Sequence, residues 1–176
     1  MVQANYGKPL FTKAEISKRV GELGDRISKD YKGEDLIMVC VMTGAYMFFA
    51  DLTRVVRIPV VVDYLGVSSF GSRAKAKGAV RISSDLNQNI EGKHVLVVED
   101  IVNSGLTMDY VKKNLLSREP RSLKVCTLLD KVEKRRANFQ PDYVGFTIPN
   151  RYVVGYGLDY QDQYRNLPYI AVLGEE

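Results

Sequence analysis

Sulfur and imidazole are scarce in this 176-residue chain, which carries two cysteines, Cys40 and Cys126, and one histidine, His94. No Cys/His metal cluster can be built from so few ligands. Any metal must be held by oxygen, which favours a hard ion such as magnesium. Both cysteines sit inside apolar stretches, at 37–41 and 125–129, and read as buried thiols in strands. Long apolar runs are also missing: none approaches the roughly 20 residues that cross a bilayer. Residues 1–6 lack the basic-then-apolar pattern of a secretory leader. A cytoplasmic protein without a membrane partner is expected.

Neither charge sign dominates, since 25 Lys and Arg against 21 Asp and Glu leave a net charge of +4. That excess suits an anionic partner only weakly. Apart from a short cluster at 131–136 the basic residues are scattered, and no zinc finger, helix-turn-helix or RNA-binding aromatic pattern accompanies them. Nucleic acid is not expected as a partner. The length suits one domain over 1–176, with a core large enough to stand without staples.

What is present alternates between helix and strand patterns. Thr12-Lys13-Ala14-Glu15 has the form of a capping box, with Phe11 and Ile16 at the staple positions. Ile16, Val20, Leu23 and Ile27 then recur at helical spacing to about Asp30. An apolar strand is expected at 35–41, then a turn at 42–45. A second helix follows with Phe48, Phe49, Leu52, Val55 and Val56 on its apolar face, stopped by Pro59, before a β-branched strand at 60–65. Residues 68–78, rich in Gly, Ser, Lys and Arg, read as a loop or extended arm with a returning strand at 80–83. Residues 95–98 form the clearest buried strand. A helix is expected over 104–116 with Leu106, Tyr110, Val111 and Leu115 on one side, and further strands at 123–129, 143–148 and 169–173. This alternation predicts an α/β fold with a mainly parallel sheet covered by helices, binding its ligand at the carboxyl ends of the strands.

The informative segment is VLVVEDIVNSGLTM, residues 95–108. An apolar strand delivers two adjacent carboxylates, Glu99 and Asp100. A Ser/Gly/Thr loop then offers backbone N–H groups, two hydroxyls and a helix N-terminus, the parts of a phosphate cradle. The acidic pair suits a sugar diol or a magnesium ion on a phosphorylated sugar. From spacing alone, a plain turn with solvated acids fits as well, because strand–turn–helix units are common in such folds. A P-loop does not fit, since no Lys-Ser/Thr pair follows the final glycine.

Residues 95–108 resemble the phosphoribosyl-pyrophosphate signature of type I phosphoribosyltransferases, and within them the hypoxanthine-guanine branch. The likeness runs over nearly the whole chain, through Ser-Ser-Phe-Gly at 68–71, Leu-Leu-Asp-Lys at 128–131 and IPNRYVVGYGLDY at 148–160. It implies the type I phosphoribosyltransferase fold: a mainly parallel central sheet flanked by helices, a small hood, and a flexible lid loop at about 68–80. The implied reaction is purine salvage. With Mg2+, the 5-phosphoribosyl group of phosphoribosyl pyrophosphate (PRPP) passes to a 6-oxopurine base, giving IMP or GMP and pyrophosphate. The resemblance also implies a homodimer or homotetramer.

Position by position, the family implies that Glu99 and Asp100 hold the ribose hydroxyls and magnesium, and that Ser104, Gly105, Leu106 and Thr107 bind the 5-phosphate. Lys131 would donate to the purine 6-oxo group, Tyr152 would stack on the base, and the Val153 backbone would read its edge. Asp159 would take a second magnesium. Thr43, Gly44 and Arg165 would meet pyrophosphate, and Ser69 and Phe70 would sit in the lid. Without the family, Lys131 reads as a solvated lysine, Tyr152 as a core aromatic and Arg165 as a surface ion pair.

The chain departs from its family at the general base, an aspartate there and Asn103 here. An amide hydrogen-bonds to a purine but does not accept its proton. A loss of roughly 100- to 10,000-fold in rate is therefore expected, with binding better preserved. A substitution introduced to trap substrates and a natural non-catalytic homologue are both consistent with Asn103. Phe70 stands where the family usually has tyrosine, and Thr43 where lysine is frequent. Two other functions compete: a non-catalytic PRPP- or nucleotide-binding regulator of the same fold, and a phosphoribosyltransferase for another base. Lys131 with Tyr152 and Val153 favours 6-oxopurines over the latter, without deciding among hypoxanthine, guanine and xanthine.

Overall fold

The computed structural model describes residues 6–69 and 80–174. In chain order these form β1 (Tyr6–Phe11), α1 (Lys13–Asp30), β2 (Leu36–Met42), α2 (Tyr46–Val55), β3 (Val60–Ser69), β4 (Val80–Ser84) and β5 (His94–Val102). They continue with α3 (Leu106–Leu116), β6 (Ser122–Asp130), a 3-10 turn (Val132–Lys134), β7 (Tyr143–Thr147), β8 (Val153–Val154) and β9 (Ile170–Leu173). The main sheet has six strands in the order β4-β3-β2-β5-β6-β7. Its neighbours are parallel except β4, which returns antiparallel to β3. A second, antiparallel sheet of order β1-β9-β8 forms the small hood.

The apolar pattern explains the layers. Leu96 and Val98 of β5 join a core with Ile16, Val20, Leu23 and Ile27 of α1 and with Phe48 and Leu52 of α2. Val95 and Val97 face the other way, into a core with Met108, Val111 and Leu115 of α3. One strand therefore feeds both faces, which is why β2 and β5 read as unbroken apolar runs. Helix α1 starts where its capping box sits: the Glu15 N–H donates to Thr12 Oγ1 at 3.3 Å, and Glu15 accepts from Thr12 N at 2.8 Å. Cys40 lies in β2 and Cys126 in β6, both buried and free.

Several elements differ from the sequence expectation. Strand β5 runs on through the acidic pair to Val102, so Glu99 and Asp100 are inside the strand. The apolar face of α3 is Met108, Val111 and Leu115, while Leu106 and Tyr110 are exposed. The helix begins at Leu106, and the i, i+3, i+7 stripe from Met108 is the one that meets the sheet. The strand near 169–173 belongs to the hood, paired with β1 and β8. Strand β1 itself was not expected; its Pro9 is tolerated because β1 is an edge strand.

Candidate active site

The carboxyl ends of β2 and β5 and the start of α3 enclose a cavity of about 380 Å³ whose lining includes Met42, Gly44, Glu99, Asn103, Ser104 and Thr107. Up to Val98, β5 alternates its side chains strictly between the two cores. Beyond the acidic pair Ile101 packs on the α1 side and Val102 on the α3 side, so the alternation shifts by one at Glu99-Asp100. Both carboxylates are buried, Glu99 at 9% and Asp100 at 8% exposure. Asp100 accepts from the Ile101 N–H at 2.7 Å. Glu99 keeps Oε2 buried without a hydrogen-bond partner among the described residues. Burial, and then the charge of Asp100, push the Glu99 carboxyl well above the usual carboxylate range. A buried oxygen without a partner beside a second carboxylate suits hydroxyl donors or a hard cation.

After Val102 the chain turns through 103–105 into α3. Gly105 adopts φ 79 at the N-cap, and an added β-carbon there would press on the side chain of Arg135. Only glycine meets both demands without strain. Arg136 and Ala137 donate their N–H groups to the Ser104 carbonyl at 2.9 and 3.1 Å, holding the loop from below. Ser104, Gly105, Leu106 and Thr107 thus line the cavity at the positive end of an 11-residue helix. Asn103 is exposed at its rim.

Across the cavity, β2 ends in a cis Met42–Thr43 peptide. Gly44 lies so close to the Asp100 carboxylate that a β-carbon would overlap it. Thr43 is exposed beside it.

The remaining candidates lie outside the cavity lining. Lys131 is buried at 7% exposure, and its N–H donates to Val102 O at 2.9 Å. Burial first, and then the Lys134 charge, hold its amine below the usual lysine range. Val153 is buried in β8, whereas Tyr152 is 55% exposed with its ring edge-on to Tyr160 at 5.6 Å. Arg165 pairs with Asp159 at 2.8 Å and donates to Gly157 O at 2.7 Å. Asp159 is therefore engaged by a cation of the chain. Among the described residues no group of three or more His, Cys, Asp or Glu could hold a metal. Glu99 and Asp100 can supply two oxygen donors, and a metal bound there would complete its shell from substrate. Phe70 lies outside the described residues, and Ser69 is described only as the end of β3; Val67 and Val80, which bracket the expected lid, both line the cavity. Val41 and Val67 are lining residues the sequence did not point to, because an apolar side chain in a strand gives no sign of the cavity it faces. No helix among the described residues is long and apolar enough to cross a membrane.

Residues 9–161 match the family model of the phosphoribosyl transferase domain. The hypoxanthine-guanine phosphoribosyltransferase of Mycobacterium tuberculosis (strain CDC 1551 / Oshkosh) is 48% identical over 170 residues, covering 93% of this chain and 84% of that protein. A crystal structure of a hypoxanthine phosphoribosyltransferase from Staphylococcus aureus is similar with a TM-score of 0.91 at 41% identity, covering 96% of this chain and 92% of the other. Another solved structure, the asparagine mutant from an analysis of an invariant aspartic acid in HPRTs, gives a TM-score of 0.89 at 45% identity, covering 97% and 93%.

Proposed function

The chain belongs to the phosphoribosyl transferase domain family and has the type I phosphoribosyltransferase fold, and from that premise we propose that it serves purine salvage by joining PRPP to hypoxanthine or guanine. The observation that carries this reading is that Glu99 shares one cavity with the Ser/Gly/Thr loop at the start of α3 and with Gly44, against which the buried Asp100 packs. A ribose bearing a 5-phosphate and a 1-pyrophosphate needs those three features, side by side. The names of the similar proteins support the base: hypoxanthine-guanine in one, hypoxanthine in the other.

In this reading Ser104, Gly105, Leu106 and Thr107 hold the 5-phosphate with backbone N–H groups and the helix dipole. Glu99 and Asp100 accept from the ribose hydroxyls and stabilise positive charge developing on the ring as pyrophosphate leaves. Lys131 donates to the 6-oxo group. Its burial away from any paired carboxylate supports that role. Tyr152 offers its exposed face to the base. Thr43, Gly44 and Arg165 receive pyrophosphate. Mg2+ held by Glu99 and Asp100, with Asp159 as a second site, would neutralise the departing charge. The products are IMP or GMP and pyrophosphate. A homodimer or homotetramer is part of the proposal, supported by exposed Val62 and Tyr64 on one face of β3, which share a groove with Met42.

Asn103 occupies the position of the general base and leaves the purine proton without an acceptor. It also favours the second reading, a binding protein that keeps the PRPP site and has lost turnover. The test is magnesium-dependent nucleotide formation from PRPP and hypoxanthine, for this chain beside Asn103→Asp. The variant is expected to be faster by about 100-fold or more. If neither forms nucleotide while PRPP still binds, the binding protein is the better description.

A further inference from the structure

The residues expected to meet pyrophosphate and to take a second magnesium come from two distant pieces of chain, Thr43 and Gly44 after β2, and Asp159 and Arg165 after β8. Between them stands Tyr156, a buried side chain in the left-handed region at φ 51. Glycines flank it at φ 98 and 100, and a glycine at 156 would take the same turn at lower backbone cost. What tyrosine adds is its phenol. The hydroxyl donates to Asp51 Oδ2 at 2.7 Å, and the other oxygen of that carboxylate accepts from Arg54 at 3.2 Å. Burial and Asp51 hold the phenol above its usual range, so it stays a donor.

Asp51 lies on α2, the helix that leaves the Gly44 loop directly, its first turn closed by Phe49 N–H donating to Ala45 O at 2.8 Å. On the other side, Tyr156 N–H donates to Leu167 O at 2.8 Å and Gly157 N–H to Arg165 O at 2.9 Å. Arg165 returns a bond to Gly157 O at 2.7 Å. The Gly157 α-carbon abuts the Gly44 carbonyl so closely that no β-carbon fits between them. The contacts close a ring from Gly44 through α2, Asp51, Tyr156 and Gly157 back to Gly44.

We propose that Tyr156 and Asp51 are positioning residues that fix the Thr43–Gly44 loop against Arg165 and Asp159, tuning capture of the pyrophosphate end of PRPP without touching it. The inference rests on the PRPP reading above. Its test is calorimetric titration of the whole chain with PRPP and, separately, with IMP, which has no pyrophosphate group, in magnesium buffer. Tyr156→Phe is expected to weaken PRPP about three- to tenfold and to leave IMP within about twofold. Asp51→Ala matches it, whereas Asp51→Asn, which keeps an oxygen acceptor for the phenol, stays near the parent. Equal weakening of PRPP and IMP marks a general structural role and overturns the proposal, as does unchanged PRPP binding in Tyr156→Phe beside a parent that binds. A parent that takes no PRPP overturns the functional reading and this inference with it.

Discussion

Lys131 is a cation placed where its surroundings oppose the charge, buried at 7% exposure and facing Lys134 instead of a carboxylate. With the folded-state pKa below the unfolded value, the unfolded chain binds more protons between the two. Stability then rises with pH across that window and is lower below it. Lys131→Met is therefore expected to raise the melting temperature at pH 7 while weakening use of hypoxanthine about 10- to 100-fold through the lost donor. A variant that melts lower, or that keeps its base affinity, would remove Lys131 from the purine site. Legibility at this scale follows sequence distance. Glu99, Asp100 and the 103–107 loop could be read because strand, acids and cradle are contiguous. Lys131, Tyr152, Asp159 and Arg165 carry no such local sign and were reached only through the family likeness. The Tyr156–Asp51 bond spans 105 positions, and no spacing in the chain announces it.

Among the elements, those shaped by local rules were legible and those shaped by partners were not. Helix α1 obeyed its capping box, β2 and β5 their apolar runs and β3 its β-branched one. The length of β5 beyond Val98 was hidden because two adjacent buried carboxylates run against strand propensity. Asp63 in β3 is a comparable case, a carboxylate at 6% exposure in an otherwise apolar stretch. It accepts from the N–H groups of Tyr64, Asn87 and Gln88 at 2.9, 2.8 and 2.8 Å, stitching the connection before β5 onto β3. Burial alone would raise its pKa, but these bonds, led by that from Gln88, bring it below the ordinary 3.8. Its contribution is thus complete above the unfolded pKa and is lost as pH falls through the folded value. Asp63→Ala leaves donors unpaired and should lower unfolding free energy by about 2–4 kcal/mol at pH 7, read from the urea midpoint. As pH falls below 3.8 the gap between parent and variant should narrow; a constant gap would mean the loss is one of packing.

For the whole molecule, the site is a place where like charges are gathered against the demands of folding. Glu99 and Asp100 sit together, buried near the carboxyl end of β5, and Lys131 is buried without a carboxylate partner among the described residues. In the proposed reading such a site gains most when its ligand arrives, since hydroxyls and a cation would satisfy the acids while the base would satisfy the amine. Any ligand that binds only the folded chain adds RT ln(1 + [L]/Kd), about 2.7 kcal/mol at a hundredfold excess over Kd. For a chain of this size that corresponds to a rise of about 5–10 °C in Tm. In the proposed reading Asn103 bears on turnover and leaves these contacts in place, so the shift is expected in this chain as it stands. Scanning calorimetry with PRPP and Mg2+ should show it in both the parent and Asn103→Asp. Removing magnesium with EDTA should abolish most of it, because the acid pair would then face the pyrophosphate charge unscreened. A full shift that survives EDTA would take the metal out of the Glu99–Asp100 site and leave those carboxylates to the ribose alone.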